Sequence, residues 1–312
     1  MTPSALPLLD QHLRQIDSFP SQVRRLFHGR GQCFAGLEHI TVDWLGGQIL
    51  ISLFKEPEAE FIPTLCELVE SWQATPLWQN NVTSVLLHHR SRPDCELQVL
   101  SGIFTAQQTV VENDLTFLLD LGNKQNNGLF LDMRYGRSWV KSNAQNKNVL
   151  NLFAYTCGFS VAAIAGGAKQ VVNLDMAKAA LSKGRENHRA NDHDLSKVKF
   201  LGHELFKSWG KVRKFGPYDL VIIDPPSFQK GSFALTKDYK KILRRLPELL
   251  SEHAQVLACV NDPSVDSQFL IDEMAQQAPE MIFVERLDNP PEFKDINPEA
   301  SLKSLLFNLS CG

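Results

Sequence analysis

Nowhere in the 312 residues does an apolar run approach the length of about 18 that a membrane span needs. The start, Met1 to Asp10, lacks a basic region followed by a hydrophobic stretch. Neither a membrane segment nor a secretory signal is expected. No CxxC pair occurs: the six cysteines stand far apart, at 33, 66, 95, 157, 259 and 311. That excludes a metal ribbon or a disulfide framework, leaves no metal site in view, and fits free thiols in a reducing cytoplasm. There is no excess of charge either, with 32 Lys+Arg against 35 Asp+Glu and a net of -3. Internal repeats and low-complexity tracts are absent. What is present is an ordinary globular composition, 43% apolar and 21% charged, long enough for one large domain and one smaller one.

Basic character is local. Up to Glu112 there are 7 Lys+Arg against 12 Asp+Glu, and beyond it 25 against 23, so neither part is a uniformly basic nucleic-acid binder. Four clusters stand out: Arg24, Arg25 and Arg30 around His28; His88, His89, Arg90 and Arg92; Lys207, Lys211, Arg213 and Lys214; and Lys237 to Arg245. Each alone reads as a solvated face; convergence of several would change that reading. The N-terminal third mixes patterns. His39 to Phe54 predicts two strands joined at Gly46-Gly47, Phe61 to Gln73 a helix, Val82 to His89 a strand, and Val99 to Phe117 extended segments broken at Glu112-Asn113-Asp114. From about Asn148 apolar strands alternate with helical runs. Strands are expected at 149–153, 170–175, 198–201, 218–224, 255–260, 281–287 and 302–309, with helices at 159–165, 177–191, 206–212, 236–251 and 266–278. This predicts an α/β, doubly wound, mostly parallel sheet of seven strands ending in a hairpin around Asn289-Pro290-Pro291. Ligands of such sheets bind beyond the carboxyl ends of the strands.

Three of those ends are informative. Strand one runs into NLFAYTCGFS (Asn151–Ser160), where Gly158 opens the next helix. A dinucleotide enzyme needs G-x-G-x-x-G here to seat a pyrophosphate; the next glycines, Gly166-Gly167, fall at the helix's far end. Strand two ends in Asp175, an acid able to accept both hydrogen bonds of a ribose diol or to cap the following helix. Together these point to a nucleoside without pyrophosphate, of which S-adenosylmethionine is the common one. Glu204, after strand three, is placed either for an adenine amino group or for a helix's first turn. Strand four ends in YDLVIIDPPSF (Tyr218–Phe228). Asp224 and the two prolines offer acceptors with no competing amide donors, and Phe228 offers a face for stacking a base.

YDLVIIDPPSF, with NLFAYTCGFS, NLDM and NNGLFLDMR (Asn126–Arg134), resembles the S-adenosylmethionine-dependent methyltransferases that act on bases of bacterial large-subunit (23S) ribosomal RNA, a group with cytosine-C5 and guanine-N7 members. The likeness runs from about Val110 to the C-terminus, and Arg25 to Trp44 is similar to the family's central module. It implies a class I methyltransferase fold, a Rossmann-like seven-stranded doubly wound sheet with a smaller N-terminal α+β domain. The expected division is 1–108 for RNA recognition, 109–133 for a linking hairpin and cofactor-lining segment, and 134–312 for the methyltransferase domain. A counterpart of the N-terminal PUA domain of the cytosine-C5 members is not expected. Carried over, the resemblance implies that Asn127, Asp132 and Arg134 line the S-adenosylmethionine site. Phe153, Tyr155, Thr156 and Gly158 would hold its methionine part, Asp175 and Met176 the ribose and adenine, and Glu204 the adenine amino group. Asp224, Pro225 and Phe228 would receive the target base.

The two chemistries of the group ask for different residues at the end of strand five. Cytosine C5 is a poor nucleophile and needs a thiolate at C6; guanine N7 carries its own lone pair and needs only positioning. Here the sequence is ACVND (Ala258–Asp262). Asn261 falls where the cytosine-C5 members place their cysteine and resembles the asparagine of guanine-N7 members. Cys259 shares its strand face and reads as a buried structural thiol. Alternatives stay open: a small-molecule acceptor or another RNA, an inactive RNA-binding relative, and, against the missing glycine pattern, a nucleotide-dependent oxidoreductase. The expected partner is RNA, naked or in an assembling large-subunit particle, in the cytoplasm and away from membranes.

Overall fold

Leu6, Leu9 and Leu13 recur at helical spacing and form the buried stripe of helix α1 (Leu6–Arg14), which the sequence reading left unplaced. The chain is known from a computed structural model that describes residues 1–229 and 233–310; Cys311 of the sequence reading lies outside them. Strands β1 (Arg24–His28), β2 (Ile40–Leu45) and β3 (Gln48–Leu53) follow. Gly46 and Gly47 turn β2 into β3 with φ of 63° and 111°, the left-handed values that a two-residue hairpin requires. Helix α2 (Phe61–Gln73) buries Phe61, Leu65, Val69 and Trp72, one per turn. Helix α3 (Pro76–Asn81) leads into β4 (Ser84–His89) and β5 (Leu97–Gly102). The five strands form one sheet in the order β1-β2-β3-β4-β5, parallel only between β3 and β4, where α2 makes the crossover. One sheet face, including Val42, Ile49, Ile51, Val85 and Leu87, packs on α1 and α2; each such side chain contributes about 1.5–3 kcal/mol. Strands β6 (Gln107–Glu112) and β7 (Leu115–Asp120) form a separate hairpin.

Helix α4 (Arg134–Asn143) was also not foreseen. After it come β8 (Asn148–Leu152), α5 (Gly158–Ala165), β9 (Gln170–Leu174), α6 (Lys178–Arg189), β10 (Val198–Leu201), α7 (Trp209–Arg213) and β11 (Tyr218–Ile223). A two-residue pair, β12 (Phe228–Gln229) and β13 (Phe233–Ala234), leads into α8 (Leu235–Leu243), β14 (Leu250–Val260), α9 (Ser267–Gln277), β15 (Met281–Leu287) and β16 (Lys303–Leu309). Two expected helices are shorter than predicted. The one expected at 206–212 divides into a single turn, Leu205–Lys207, and α7; the one expected at 236–251 ends at Leu243, because Pro247 cannot continue an α-helix and sits in a separate turn, Leu246–Glu248. The large sheet runs β10-β9-β8-β11-β14-β16-β15, with β16 antiparallel to its neighbours. This is the seven-stranded doubly wound order that the resemblance implied. Strands β8, β9 and β11 are apolar on both faces, as helix-covered parallel strands are. Their buried exceptions pair: Asn151 Nδ2 donates to Asn173 Oδ1 (2.9 Å), and Asn173 Nδ2 to Ser160 Oγ (2.9 Å).

The chain forms two units, Met1–Leu131 with Pro290–Pro298, and Asp132–Asn289 with the chain from Glu299 onward. The hairpin expected around Asn289-Pro290-Pro291 forms between β15 and β16. Its connection, Pro290–Pro298, belongs to the first unit, where the Phe293 ring lies 5.1 Å from the His28 ring and 4.8 Å from the Arg25 guanidinium. Among the described residues no helix is long and apolar enough to cross a membrane.

Candidate active site

The sheet order reverses between β8 and β11, and the crevice that such a reversal opens lies at their carboxyl ends. After β8 the chain takes an unusual path. Phe153, Tyr155 and Cys157, none of them glycine, hold φ of 56°, 47° and 63°. Each costs on the order of 1 kcal/mol, so the surroundings must impose the turn. Ala154 N donates to Leu174 O (3.1 Å), Asn187 Nδ2 to Thr156 O (3.0 Å) and Tyr155 N to Asp175 Oδ2 (2.8 Å). Helix α6 closes on the same turn through Gly184, where a Cβ would stand 2.4 Å from Cys157 Sγ. Gly158 opens α5, as foreseen.

Asp175 therefore does more than cap. One oxygen holds Tyr155 N, and the other accepts from Ala177 N (2.7 Å) ahead of α6. Burial raises its pKa, and the two backbone donors oppose that rise. Each oxygen keeps a further lone pair. Met176 beside it is exposed. Glu204 caps the single turn: its Oε1 accepts from Phe206 N (2.8 Å), with Lys207 3.5 Å away.

Beyond β11, Asp224 sits half-buried, Pro225 is buried, and Phe228 is 70% exposed, an open aromatic face. Burial, helped by the Asp132 carboxylate and opposed by the Arg137 guanidinium, pushes Asp224 up to about 7. Asp132 Oδ2 accepts from Asn261 Nδ2 (3.3 Å), and Ser227 Oγ donates to Asn261 O (3.1 Å), tying the loops after β11 and β14. Tyr239 of α8, fully buried, donates its hydroxyl towards Ile223 O (3.3 Å) and Cys259 O (3.1 Å), so one side chain bridges the ends of both strands. Cys259 is buried, with Sγ 3.7 Å from Ser304 Oγ. Burial first, then Asp224, raises its thiol well above the ordinary range.

The structure thus brings Asp132, Asp224 and Asn261 together, and joins Tyr155 to Asp175 at the adjacent strand ends. Arg134 is buried at the start of α4. Asn127 belongs to the first unit, where its carbonyl accepts from Asp120 N (3.0 Å). Sequence reasoning missed Tyr239, Arg137 and Ser227. Ser227 lay inside a quoted motif, whereas Tyr239 and Arg137 stand in helices with nothing around them to mark a site. The donor set fits an adenosyl cofactor: Asp175 has acceptors left for a ribose diol, and no glycine-rich pyrophosphate seat is present.

Comparison with known proteins agrees. The S-adenosylmethionine-dependent methyltransferase family matches residues 24–308. A protein of Aeromonas salmonicida named ribosomal RNA large subunit methyltransferase I is 37% identical over 149 residues, 46% of this chain and 38% of that one. YwbD of Bacillus subtilis, a candidate ribosomal RNA large subunit methyltransferase, is 26% identical over 292 residues, 88% of this chain and 70% of that protein. The chain thus spans well under half the length of the first relative and more than two thirds of the second. Among solved structures, a candidate methyltransferase crystallised with SAH superposes with a TM-score of 0.83 at 25% identity, over 99% of this chain and 82% of that one.

Proposed function

The chain belongs to the S-adenosylmethionine-dependent methyltransferase family, and from that premise we propose that it methylates a nucleobase of RNA, with large-subunit (23S) ribosomal RNA, free or in an assembling particle, as the substrate. The cofactor supplies an electrophilic sulfonium methyl group when bound. Asp175 and Met176 hold its ribose and adenine with Glu204 nearby, and Phe153, Tyr155, Thr156 and Gly158 hold its methionine part. Asp132 and Arg134 complete that lining. Asp224 and the Pro225 carbonyl accept hydrogen bonds from the base, Phe228 stacks on it, and Asn261 meets its edge. The relatives' names support an RNA substrate; the proposed compartment is the cytoplasm, and the first unit serves RNA recognition.

One observation supports a choice of acceptor atom. Attack at C6 of cytosine needs a thiolate at the end of β14, and Cys259 is enclosed, next to a hydroxyl, with its ionisation suppressed. A ring nitrogen with its own lone pair needs positioning only. Guanine N7 is therefore the proposed target. The test is transfer of labelled methyl to ribosomal RNA from a strain lacking this protein, followed by nucleoside digestion. Label in 7-methylguanosine is expected. Label in 5-methylcytidine would overturn the non-covalent reading, and intact cofactor binding with no label in RNA would move the substrate to a small molecule.

A further inference from the structure

Of the four basic clusters, the first two lie in the first unit. There Arg25 pairs with Asp43, Arg92 with Glu56 and Glu96, and Arg30 and Arg90 rest on the Phe54 ring, 4.3 and 4.8 Å from its centre. The last two clusters lie in the second unit and converge. Glu248 accepts from Arg213 of α7 (3.1 Å) and from Arg245 (2.8 Å). Lys241 of α8 holds its ammonium 5.5 Å from the centre of the Phe206 ring, in the single turn before α7. Residues 204–214 and 237–248 thus carry nine Lys and Arg, all exposed, against three carboxylates. Those three are taken: Glu204 by Lys207 (3.5 Å), Asp238 by Lys241 (2.7 Å) with Lys237 adjoining, and Glu248 by the two arginines. Lys211 Nζ lies 2.8 Å from His203 Nε2, and Arg244 donates to the neutral Gln277 Oε1 (2.8 Å). Lys214 and Lys240 have no ion-pair partner among the described residues.

A second observation is how these cations are spaced and where their helix begins. On α8 and just beyond it they fall at 237, 240, 241, 244 and 245, a helical stripe opposite buried Leu235, Tyr239, Ile242 and Leu243. Like charges three and four residues apart destabilise a helix, and Lys237 stands in the first turn, where the helix dipole disfavours a cation. The stripe therefore works against the fold, and a polyanion laid on it would relieve the repulsion. It also starts at the place proposed for the base. The register of β12 and β13 sets Phe228 against Ala234, and the N–H of Leu235, the first residue of α8, donates to Ser227 O (3.1 Å). Helix α9, packed beside α8, carries Asp272 and Glu273 and no Lys or Arg, so the basic face ends there.

We infer that this face grips the sugar-phosphate backbone of the RNA whose base enters over Phe228. Lys237, Lys240 and Arg244 make the phosphate contacts along α8, with Lys211 and Lys214 beside them. Such contacts position a strand without reading its sequence. The inference rests on the RNA reading above, and its test separates the two. The full wild-type chain is compared with two triple variants that lose equal charge. One is Lys237→Gln, Lys240→Gln, Arg244→Gln on this face. The other is Lys169→Gln, Arg189→Gln, Lys197→Gln, at the amino ends of β9 and β10 and the end of α6. All six side chains are exposed, so both variants should fold. Anisotropy of a fluorescein-labelled single-stranded RNA oligonucleotide across a salt series gives affinity and salt slope, with calorimetry of S-adenosylmethionine binding as the control.

The α8 triple variant should bind RNA at least about tenfold more weakly, and its slope of log affinity on log salt should flatten by about 2, at about 0.7 per lost contact. The other triple should stay within about twofold of wild type, because charges beyond a Debye length are screened. Cofactor affinity should hold in both. Wild type that binds RNA with the α8 triple equal to it overturns the basic face and leaves the RNA reading standing. Equal losses in the two triples overturn it as well, since net charge alone would then account for the binding. Wild type that binds no RNA at any salt overturns the RNA reading, and the face with it. An α8 triple that fails to fold, seen by circular dichroism, is replaced by Lys240→Gln and Arg244→Gln singly, each expected to flatten the slope by about 0.7.

Discussion

The two sheets of this protein place their polar groups in opposite ways. The seven-stranded sheet collects its chemistry at the ends of neighbouring strands, one short peptide per strand: Tyr155 and Thr156 after β8, Asp175 after β9, Asp224 after β11, Asn261 after β14. The five-stranded sheet collects its polar groups across a face, one residue per strand, in the row His28, Thr41, Ser52, His88. Strand ends are loops, free to be strained and to aim side chains at a reacting atom, whereas a sheet face is a rigid lattice that fixes the spacing of whatever stands on it. If the difference is functional, substitutions at the strand ends should damage the transfer step, and substitutions on the face should damage only the hold on RNA.

Asp224 is where that contrast should be largest. Replacing it with Asn or Ala removes a charged acceptor fixed in place before the base arrives, and should lower the single-turnover rate by about 100-fold or more with the fold intact. Near-normal turnover in either variant would dissolve the contrast. Acidity gives a second handle. With its pKa near 7, Asp224 is protonated in acid and able to accept fully only above neutrality. The wild-type rate should climb through about pH 7 to a plateau, and Asp224→Asn should lack that limb. Stability runs the other way. The folded chain holds this proton more tightly than the unfolded one, whose ordinary value is 3.8, so its contribution is full below about pH 4 and lost as pH rises through 7. Asp224→Asn should then unfold later than wild type above neutrality, by ~1–2 kcal/mol allowing for solvent screening, and not in acid. Urea titration at the two extremes reads this directly.

Asp175→Ala tests whether the neighbouring strand end serves the cofactor. It removes two charge-assisted acceptors, and calorimetry should show S-adenosylmethionine binding at least tenfold weaker, about 1.4 kcal/mol. The Tyr155 anchor goes with it, so the variant should also melt earlier. Unchanged affinity would remove Asp175 from the site. Tyr239→Phe comes next. It withdraws a hydroxyl that bridges the ends of β11 and β14 without facing the substrate. The expected result is a loss of ~1–2 kcal/mol in stability and a rate lower by about tenfold from misplaced groups, with cofactor affinity unchanged. A weakened cofactor with a normal rate would show that Tyr239 supports the fold and not the placement of Asp224.

These differences track what the sequence could show. The seven strands of the large sheet, its closing hairpin and the peptides at its strand ends were all legible, because apolar runs alternate with helices and each strand-end peptide is contiguous. Asp175 was legible as an acid at the right place, but not as the anchor of Tyr155, since that bond depends on a turn whose strain sits on Phe153, Tyr155 and Cys157 instead of a glycine. The cap formed by Glu204 and the early stop of α8 at Leu243 were decided by local competition that a periodicity reading averages over. Arg30 and Arg90 were each legible as members of a basic cluster. Their meeting on Phe54 was not, because it depends on strand register, which a sequence states only through pairings across long intervals. Phe293 joining the first unit belongs to the same class of long-range fact.

Cys259 gives the smallest expected effect and the sharpest decision. It stands on β14 two residues before Asn261, so by alternation both belong to one face, and a shift of register in a relative could exchange their roles. In this chain the thiol is fully enclosed, close to Ser304, and its thiolate would have to form near the Asp224 carboxylate, which raises its pKa further. Two negative charges side by side in a dry pocket are costlier than either alone. Cys259→Ala should therefore lose ~1 kcal/mol through the small void it leaves while transferring methyl within about twofold of wild type. Loss of transfer with a folded chain and normal cofactor binding would mean that the sulfur attacks the base. The strand end would then hold a nucleophile held back by burial until RNA arrives, and the target would be a carbon.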